Sequence, residues 1–477
     1  MTRNEFLGRL QFHFGFPPTE SQTQAMSDLA SFIYEPGDSF LFILKGYAGT
    51  GKTTLTGALI KSLEEVRIKC VILAPTGRAA KVISQHAGRK AYTIHKWIYR
   101  TATKDGIRKF YRKENKYSHT LFIVDEASMI LAQASGEEFA GGYNLLDDLI
   151  GYVFSKAHNR MLFIGDDAQL PPVGESESPA LNPDYMRHTY PVRVFESSLT
   201  DVVRQALDSG ILYNATLLRG KIARGETMLP FFGGKQFSDF VRITGSELEE
   251  VLNELYSNYA SDEIVSITSS NRRAFMLNSE IRNRILYRES RINAGDFIMA
   301  VKNNYYWVDE TSEVGFLANG DIMEVMAIHR QQELYGFTFA DVTVRLCDYP
   351  DHPDIDIKII LESLDIEAAS LPYEDLRRLY QAVAEDYAEI PDRRARFLKT
   401  RNDPYLNAVQ VKFAYALTCH KTQGGQWKKV LIDQGYLSDD RIGLDYMRWL
   451  YTAVTRSTQT VYLINFKDTF FIADEEQ

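Results

Sequence analysis

The sequence predicts an α/β protein with two sheet-and-helix units, the second interrupted by a β-rich insertion. Three observations predict it. Short apolar runs, Leu41-Phe42-Ile43-Leu44, Cys70-Val71-Ile72-Leu73, Leu121-Phe122-Ile123-Val124 and Met161-Leu162-Phe163-Ile164, read as strands covered on both faces. A second series follows residue 190, with runs at 264–267, 411–415, 430–432 and 461–464. Between these, from about Arg291, short strands alternate with polar turns such as Asn319-Gly320, the pattern of a small barrel.

Composition bounds the rest. A chain of 477 residues exceeds one ordinary core. A net charge of −9 admits a nucleic-acid partner only through locally concentrated positive charge. Cys70, Cys347 and Cys419 have neither metal spacing nor a disulfide framework, which points to a reducing, cytoplasmic setting. Met1 to Gly15 contains Glu5 and no continuous apolar core, so it does not read as a secretory signal, and no apolar run approaches membrane-spanning length.

Taken in order, Thr19 with Gln22 three residues on is a capping box opening a helix. Gln22 also lies upstream of a phosphate loop, where its amide could read an adenine edge. That loop is Gly46-Tyr47-Ala48-Gly49-Thr50-Gly51-Lys52-Thr53, between an apolar strand and an amphipathic helix. Its glycines let backbone N–H groups turn onto phosphate oxygens, and the helix N-terminus adds partial positive charge. Gly49, Thr50, Gly51, Lys52, Thr53 and Thr54 are the nucleotide-binding candidates; Lys52 reaches the β- and γ-phosphates and Thr53 ligates Mg²⁺.

The second strand ends in Ala74-Pro75-Thr76-Gly77-Arg78, small residues where open α/β sheets take ligands. In Thr93-Ile94-His95-Lys96-Trp97, hydroxyl, imidazole and indole groups suit phosphate contact and base stacking, or ordinary packing. Residues 97–117 carry seven Lys or Arg against Asp105 and Glu114, with Trp97, Tyr99, Phe110, Tyr111 and Tyr117 interleaved. Asp105-Gly106 is a turn signal, so the segment reads as a basic, aromatic β-hairpin, suited to a nucleic-acid fork or merely solvated. The strand at 121–124 delivers Asp125-Glu126, a magnesium carboxylate and a water-polarising base. The strand at 161–164 delivers Gly165-Asp166-Asp167-Ala168-Gln169, with Gln169 placed to sense a γ-phosphate, orient water or tie the loop.

These motifs, with those at 199–205, 268–272, 415–424 and 451–457, resemble superfamily 1 helicases, and their wording is similar to the 5′→3′ branch of RecD and Dda-like enzymes. The resemblance implies two RecA-like parallel-sheet cores with an inserted SH3-like β-barrel and a β-hairpin. It places the first core at 1–190 with the hairpin at 97–117, the second at 191–290 and 405–477, and the barrel with a helical arm at 291–404. It implies ATP and Mg²⁺, single-stranded DNA and duplex forks as partners, no membrane, and a monomer. Arg204 and Arg456 match the two arginines the second core turns on the γ-phosphate, a task for a permanently charged, delocalised group. Lys52, Glu126, Gln169, Arg204 and Arg456 are then the catalytic set, and Asp125 joins Thr53 at the metal. Thr76, Gly77, Thr93, His95, Trp97, Asn271, Thr418 and His420 lie in motifs that meet DNA. Gly425-Gln426 departs from the family, which has a small residue and then Glu there. The implied activity is ATP-driven 5′→3′ translocation with duplex unwinding; the alternative is a DNA-stimulated ATPase that remodels protein–DNA complexes without unwinding. The charged stretch 371–397, with Leu376, Leu379, Tyr380 and Val383 on one stripe, reads as a solvated surface helix or an arm that meets the hairpin.

Overall fold

The apolar runs become the two parallel sheets. A computed structural model describes residues 2–104, 107–132, 144–201, 209–233, 237–309, 312, 314–438 and 441–472. The chain begins with α1 (Arg3–Phe14), α2 (Glu20–Tyr34), β1 (Phe40–Gly46), α3 (Lys52–Glu65), β2 (Lys69–Ala74), α4 (Gly77–Ala87), β3 (Tyr92–Thr93) and α5 (Ile94–Ile98). It continues through β4 (Tyr99–Lys104), β5 (Ile107–Arg112), β6 (Thr120–Val124), α6 (Leu145–Val153), β7 (Arg160–Gly165), α7 (Pro183–Thr189) and β8 (Arg193–Leu199). Six of these strands form one parallel sheet in the order β3-β2-β6-β7-β1-β8. Its central strands are buried along nearly their whole length, because helices cover both faces. The expected boundary at residue 190 falls short: β8 pairs with β1 from Phe40↔Arg193 to Gly46↔Leu199 and so extends the first sheet.

The second half contains α8 (Gly210–Arg224), β9 (Phe240–Ile243), α9 (Leu248–Asn258), β10 (Ile264–Thr268) and α10 (Asn271–Glu280). The insertion follows, with β11 (Phe297–Ala300), β12 (Ile322–Leu334), β13 (Phe337–Leu346), β14 (Ile355–Ile360), α11 (Tyr373–Glu385), α12 (Arg393–Arg401) and β15 (Val409–Phe413). The chain then returns through β16 (Ala416–Thr418), α13 (Cys419–Thr422), β17 (Trp427–Asp433), α14 (Leu444–Val454) and β18 (Ser457–Ile464). The second sheet, β16-β10-β17-β18-β9, is also parallel throughout.

Strands β11 to β15 close a barrel around Ile298, Met323, Val325, Val342, Val344 and Val411. The run at 411–415, expected in the second core, therefore belongs mostly to the barrel. Its alternation decides this: Val409 and Val411 point inward, while Gln410 and Lys412 do not. The arm also differs from expectation. It is two helices, and Leu379 and Val383 of the first are buried against Phe337, Phe339 and Ile360 of the barrel. Sequence periodicity found the stripe but could not say what it covers.

β4 and β5 form the expected antiparallel hairpin, from Tyr99↔Arg112 to Lys104↔Ile107. Its turn, Asp105-Gly106, lies outside the described residues. Among the described residues, no helix is long and apolar enough to cross a membrane.

Candidate active site

Parallel strands deliver their following loops to one edge, and the predicted residues collect there. In the first sheet, β1 leads into the glycine loop, β2 into Thr76-Gly77, β3 into Thr93, β6 into Asp125-Glu126, and β7 into Asp166 to Gln169. Neighbours in the sheet become neighbours in the site. Lys52, after β1, puts Nζ 3.9 Å from Oδ2 of Asp166, after the adjacent β7.

Gly51 precedes α3 at φ +82° and Gly49 has φ +74°, conformations that suit glycine. A Cβ at Gly51 would also meet the Gln22 amide nitrogen at 2.9 Å. Lys52 Nζ donates to the carbonyls of Gly46 (2.5 Å) and Tyr47 (3.0 Å), so the loop folds over its own cation. Thr53 and Thr54 occupy the first turn of α3, and Thr50 is buried with its hydroxyl donating to Tyr47 O.

Gln22 does form the capping box with Thr19. Its Oε1 accepts from Thr19 N–H and its Nε2 donates to Thr50 O at 3.0 Å. Both ends of the amide are engaged, and the residue ties helix α2 to the glycine loop.

Asp125 and Glu126 follow β6, with Glu126 in the left-handed region at φ +50°. The surrounding protein, and then the charge of Glu126, push the Asp125 pKa up, while Lys52 pulls it down. A carboxylate pair whose charges resist each other suits a nearby cation, and Asp125, with the Thr53 hydroxyl in the first turn of α3, could hold one. Asp166 is buried and likewise raised, chiefly by desolvation, with Lys52 and Tyr451 opposing. Gln169 is buried, with Oε1 lacking a hydrogen-bond partner.

The second core closes over this edge. Ala168 and Leu170 of the first core sit in the same apolar cluster as α14 and β17, with Tyr47 and Ala48 packed against it. Tyr451 on α14 donates to Asp166 Oδ2 (2.6 Å) and accepts from Ala48 N–H (2.9 Å). Thr452 Oγ1 accepts from Leu170 N–H at 2.8 Å, and Gln423 Nε2 donates to Leu170 O at 2.7 Å. Arg456, one turn beyond Tyr451, is buried and held by its own core: Nε donates to Thr452 O (3.0 Å) and Nη1 to Gly425 O (3.2 Å). Arg204 lies outside the described residues. Arg219, which the sequence reading did not single out, places its guanidinium 4.6 Å from the centre of the Tyr47 ring. No motif marks it; the signal is a helix that only tertiary packing sets beside the loop.

The predicted nucleic-acid residues fall into two groups. Thr76 caps α4, and Thr93 caps α5. His95 is partly exposed but its packing drives its pKa down to about 4, so it is neutral at pH 7. Trp97 is lodged between Tyr92 and Tyr117, at 4.9 and 5.4 Å, which is a packing role. Gly77 is covered by the barrel: a Cβ there would lie 3.0 Å from Tyr349 Oη and 3.4 Å from Asp321 Oδ1. Arg78 faces Asp348 at 4.0 Å and stacks on Trp427 at 3.9 Å, and Lys81 Nζ donates to Cys347 O at 2.6 Å. On the second core, Asn271 and Thr418 line a cleft of about 250 Å³ with Lys302, Lys412, Asn319 and Lys421. Burial lowers the Lys412 pKa to about 8. His420 follows Thr418 in α13, its pKa lowered by burial and by Lys421. Gln426 is exposed.

Known proteins match this arrangement in two stretches. Residues 19–228 match the AAA domain family and residues 413–464 the UvrD-like helicase C-terminal domain. The chain is 31% identical over 156 residues to the ATP-dependent RecD2 DNA helicase of Deinococcus radiodurans, across 33% of this chain and 19% of that protein. It therefore spans about a fifth of that relative's length. It is 26% identical over 322 residues to the ATP-dependent DNA helicase dda of Enterobacteria phage T4, across 65% of this chain and 67% of that one. A solved structure of a Pif1 helicase from Bacteroides in complex with ADP-AlF3 and ssDNA has a TM-score of 0.47 and 16% identity, over 97% of this chain and 96% of that chain. The resemblance to superfamily 1 helicases of the RecD and Dda-like branch is borne out by the matched domains and relatives.

Proposed function

We propose that this chain, a superfamily 1 helicase of the RecD and Dda-like 5′→3′ branch, uses ATP to move 5′→3′ along single-stranded DNA and to unwind duplex DNA ahead of it. One observation carries the reading: a glycine loop with its lysine, two carboxylates and Gln169 converge on a seam, and helix α14 of a second sheet without such a loop reaches across it.

In this reading Lys52 leaves the Gly46 and Tyr47 carbonyls for the β- and γ-phosphates, and the amides of Gly49 to Thr54 line the phosphate chain. Thr53 and Asp125 would hold Mg²⁺, which when bound would neutralise charge on the phosphate oxygens. Glu126 takes the proton of the attacking water. Gln169, whose amide oxygen is buried without a partner, is available to the water or the γ-phosphate. Arg456, with Arg204, supplies positive charge from the second core once the seam tightens. Gln22 keeps the loop and its helix in register, and its amide must change partners to read an adenine. Closure of the seam then shifts the strand held at Thr76, Gly77, Thr93 and His95 relative to the strand held at Asn271, Thr418 and His420. Trp97 supports the first grip by packing, and the basic hairpin divides the duplex. The chain then divides into a loop-bearing core, a partner core and an inserted barrel with its arm.

Strand displacement on duplexes with a 5′ or a 3′ tail tests the reading. Unwinding of the 5′-tailed substrate alone, lost in Lys52→Ala together with DNA-stimulated ATPase, is expected; unwinding that survives Lys52→Ala at the normal rate refutes it. Removing residues 100–117 separates unwinding from translocation: loss of both would contradict the hairpin's role.

A further inference from the structure

We propose that Tyr451 is the positioning residue through which the second core sets the state of the glycine loop. The proposal rests on the loop being the nucleotide site. Tyr451 is wholly buried on α14, a helix of the second core, yet both polar partners of its hydroxyl belong to the first. The hydroxyl donates to Asp166 Oδ2 and receives the Ala48 N–H. Asp166 is itself anchored, with Oδ1 accepting from Ala168 N–H at 3.0 Å, and its other oxygen faces Lys52. The phenol thus joins a chain that runs from the loop's backbone, through a carboxylate, to the loop's lysine.

The bonding roles are fixed by chemistry. An ionised Asp166 can only accept, and Ala48 N–H can only donate, so the hydroxyl must do both at once. Asp166 is buried and Ala48 partly so, and Tyr451 supplies the hydrogen bond that each makes with the second core. Withdrawal of α14 would therefore take a hydrogen bond from Asp166 Oδ2 and one from the loop amide of Ala48 together. Asp166 would then turn to the nearest remaining cation, Lys52, and hold it from phosphate. With α14 seated, Tyr451 satisfies Asp166 and leaves Lys52 free to exchange its carbonyl partners for phosphate oxygens. The other struts of the seam, Leu170 with Thr452 and with Gln423, touch neither Lys52 nor the loop. They hold the cores together without reporting on the nucleotide.

The test compares Tyr451→Phe, which keeps the ring and removes the hydroxyl, with Thr452→Val, which removes a strut one residue away. The readout is the affinity for a fluorescent, non-hydrolysable ATP analogue with Mg²⁺, measured with and without oligo-dT. In the wild type, DNA should change that affinity by about tenfold, within the usual range of coupling between sites. Tyr451→Phe should bring the ratio near one, while Thr452→Val should leave it near the wild-type value. A ratio unchanged in Tyr451→Phe, or lost equally in Thr452→Val, overturns the proposal. A wild type that binds no analogue instead sinks the reading of the loop itself. Should Tyr451→Phe fold poorly, 3-fluorotyrosine at position 451 serves: its fluorine resonance should shift when the analogue binds and again when oligo-dT is added, and a resonance that stays still overturns the assignment.

Discussion

The first core meets the rest of the chain at two places, and they are built differently. At the glycine loop, the contact with the second core is made by neutral groups (a phenol and a glutamine amide that donate, a threonine hydroxyl that accepts) around one buried carboxylate, on an apolar bed that includes Ala168 and Leu170. At helix α4, the contact with the barrel is charged: Arg78 to Asp348, Lys81 to the Cys347 carbonyl, and Asp321 against Gly77. Neutral, short, dry bonds are insensitive to salt and demanding of geometry. Charged contacts at partly exposed side chains respond to salt and pH and tolerate displacement. On the proposed function, the first kind suits a seam that registers a small movement; the second suits a cover that would come away from Thr76 and Gly77 for a strand to reach them.

The contrast can be broken in several ways. The largest effect belongs to the loop side: Glu126→Gln should lower single-turnover hydrolysis by about 10²–10⁴-fold while analogue binding is retained. Near-normal turnover would remove Glu126 as the base.

Next comes the pH dependence of the barrel side. Burial, and then the neighbouring Asp348, raise the Asp321 pKa to about 7, above its ordinary carboxylate value. The folded protein therefore holds a proton that the unfolded chain has released, and stability falls as pH rises from about 4 to about 7, with the loss complete above that. Asp321→Asn, which can still accept from Ala318 N–H, should remove that slope. Its advantage over wild type should be on the order of 4 kcal/mol at pH 8 and vanish towards pH 4 in urea titrations. An equal advantage at both pH values would contradict the assignment.

Thr452→Val should cost about 1–2 kcal/mol by stranding Leu170 N–H, equally at 50 mM and 500 mM salt. The smallest effect is expected for Lys81→Met: below about 1 kcal/mol, and shrinking as salt is raised in the same denaturation measurement. If the two variants exchanged their salt responses, the distinction between the contacts would fail.

Much of this was readable from the chain. Strand runs covered on both faces announce themselves by continuous apolar residues, and the glycine loop, Asp125-Glu126 and Gln169 follow such runs at fixed spacing. Local physics writes them, because a loop at the carboxyl end of a parallel strand needs only its own residues to take shape. The capping box at Thr19 was equally local. What the chain could not disclose is which surfaces face each other. The run at 411–415 has strand character in either setting, and only closure of the barrel assigns Val409–Phe413 to it. Trp97 and His95 carried ring chemistry fit for a nucleic acid, but packing against Tyr92, Tyr99 and Tyr117 determined how much of it remains available.

The sequence by itself determined two parallel sheets, a β-rich insertion, a hairpin and the inventory of groups at the strand ends, because each follows from side-chain polarity and backbone preference over a few residues. Tertiary structure alone decided that Tyr451 meets Ala48 and Asp166 across 403 and 285 residues of chain, and that Asp321 lies over Gly77. Such meetings depend on how whole elements pack, and neither periodicity nor spacing along a chain records the partner that a buried hydroxyl will find.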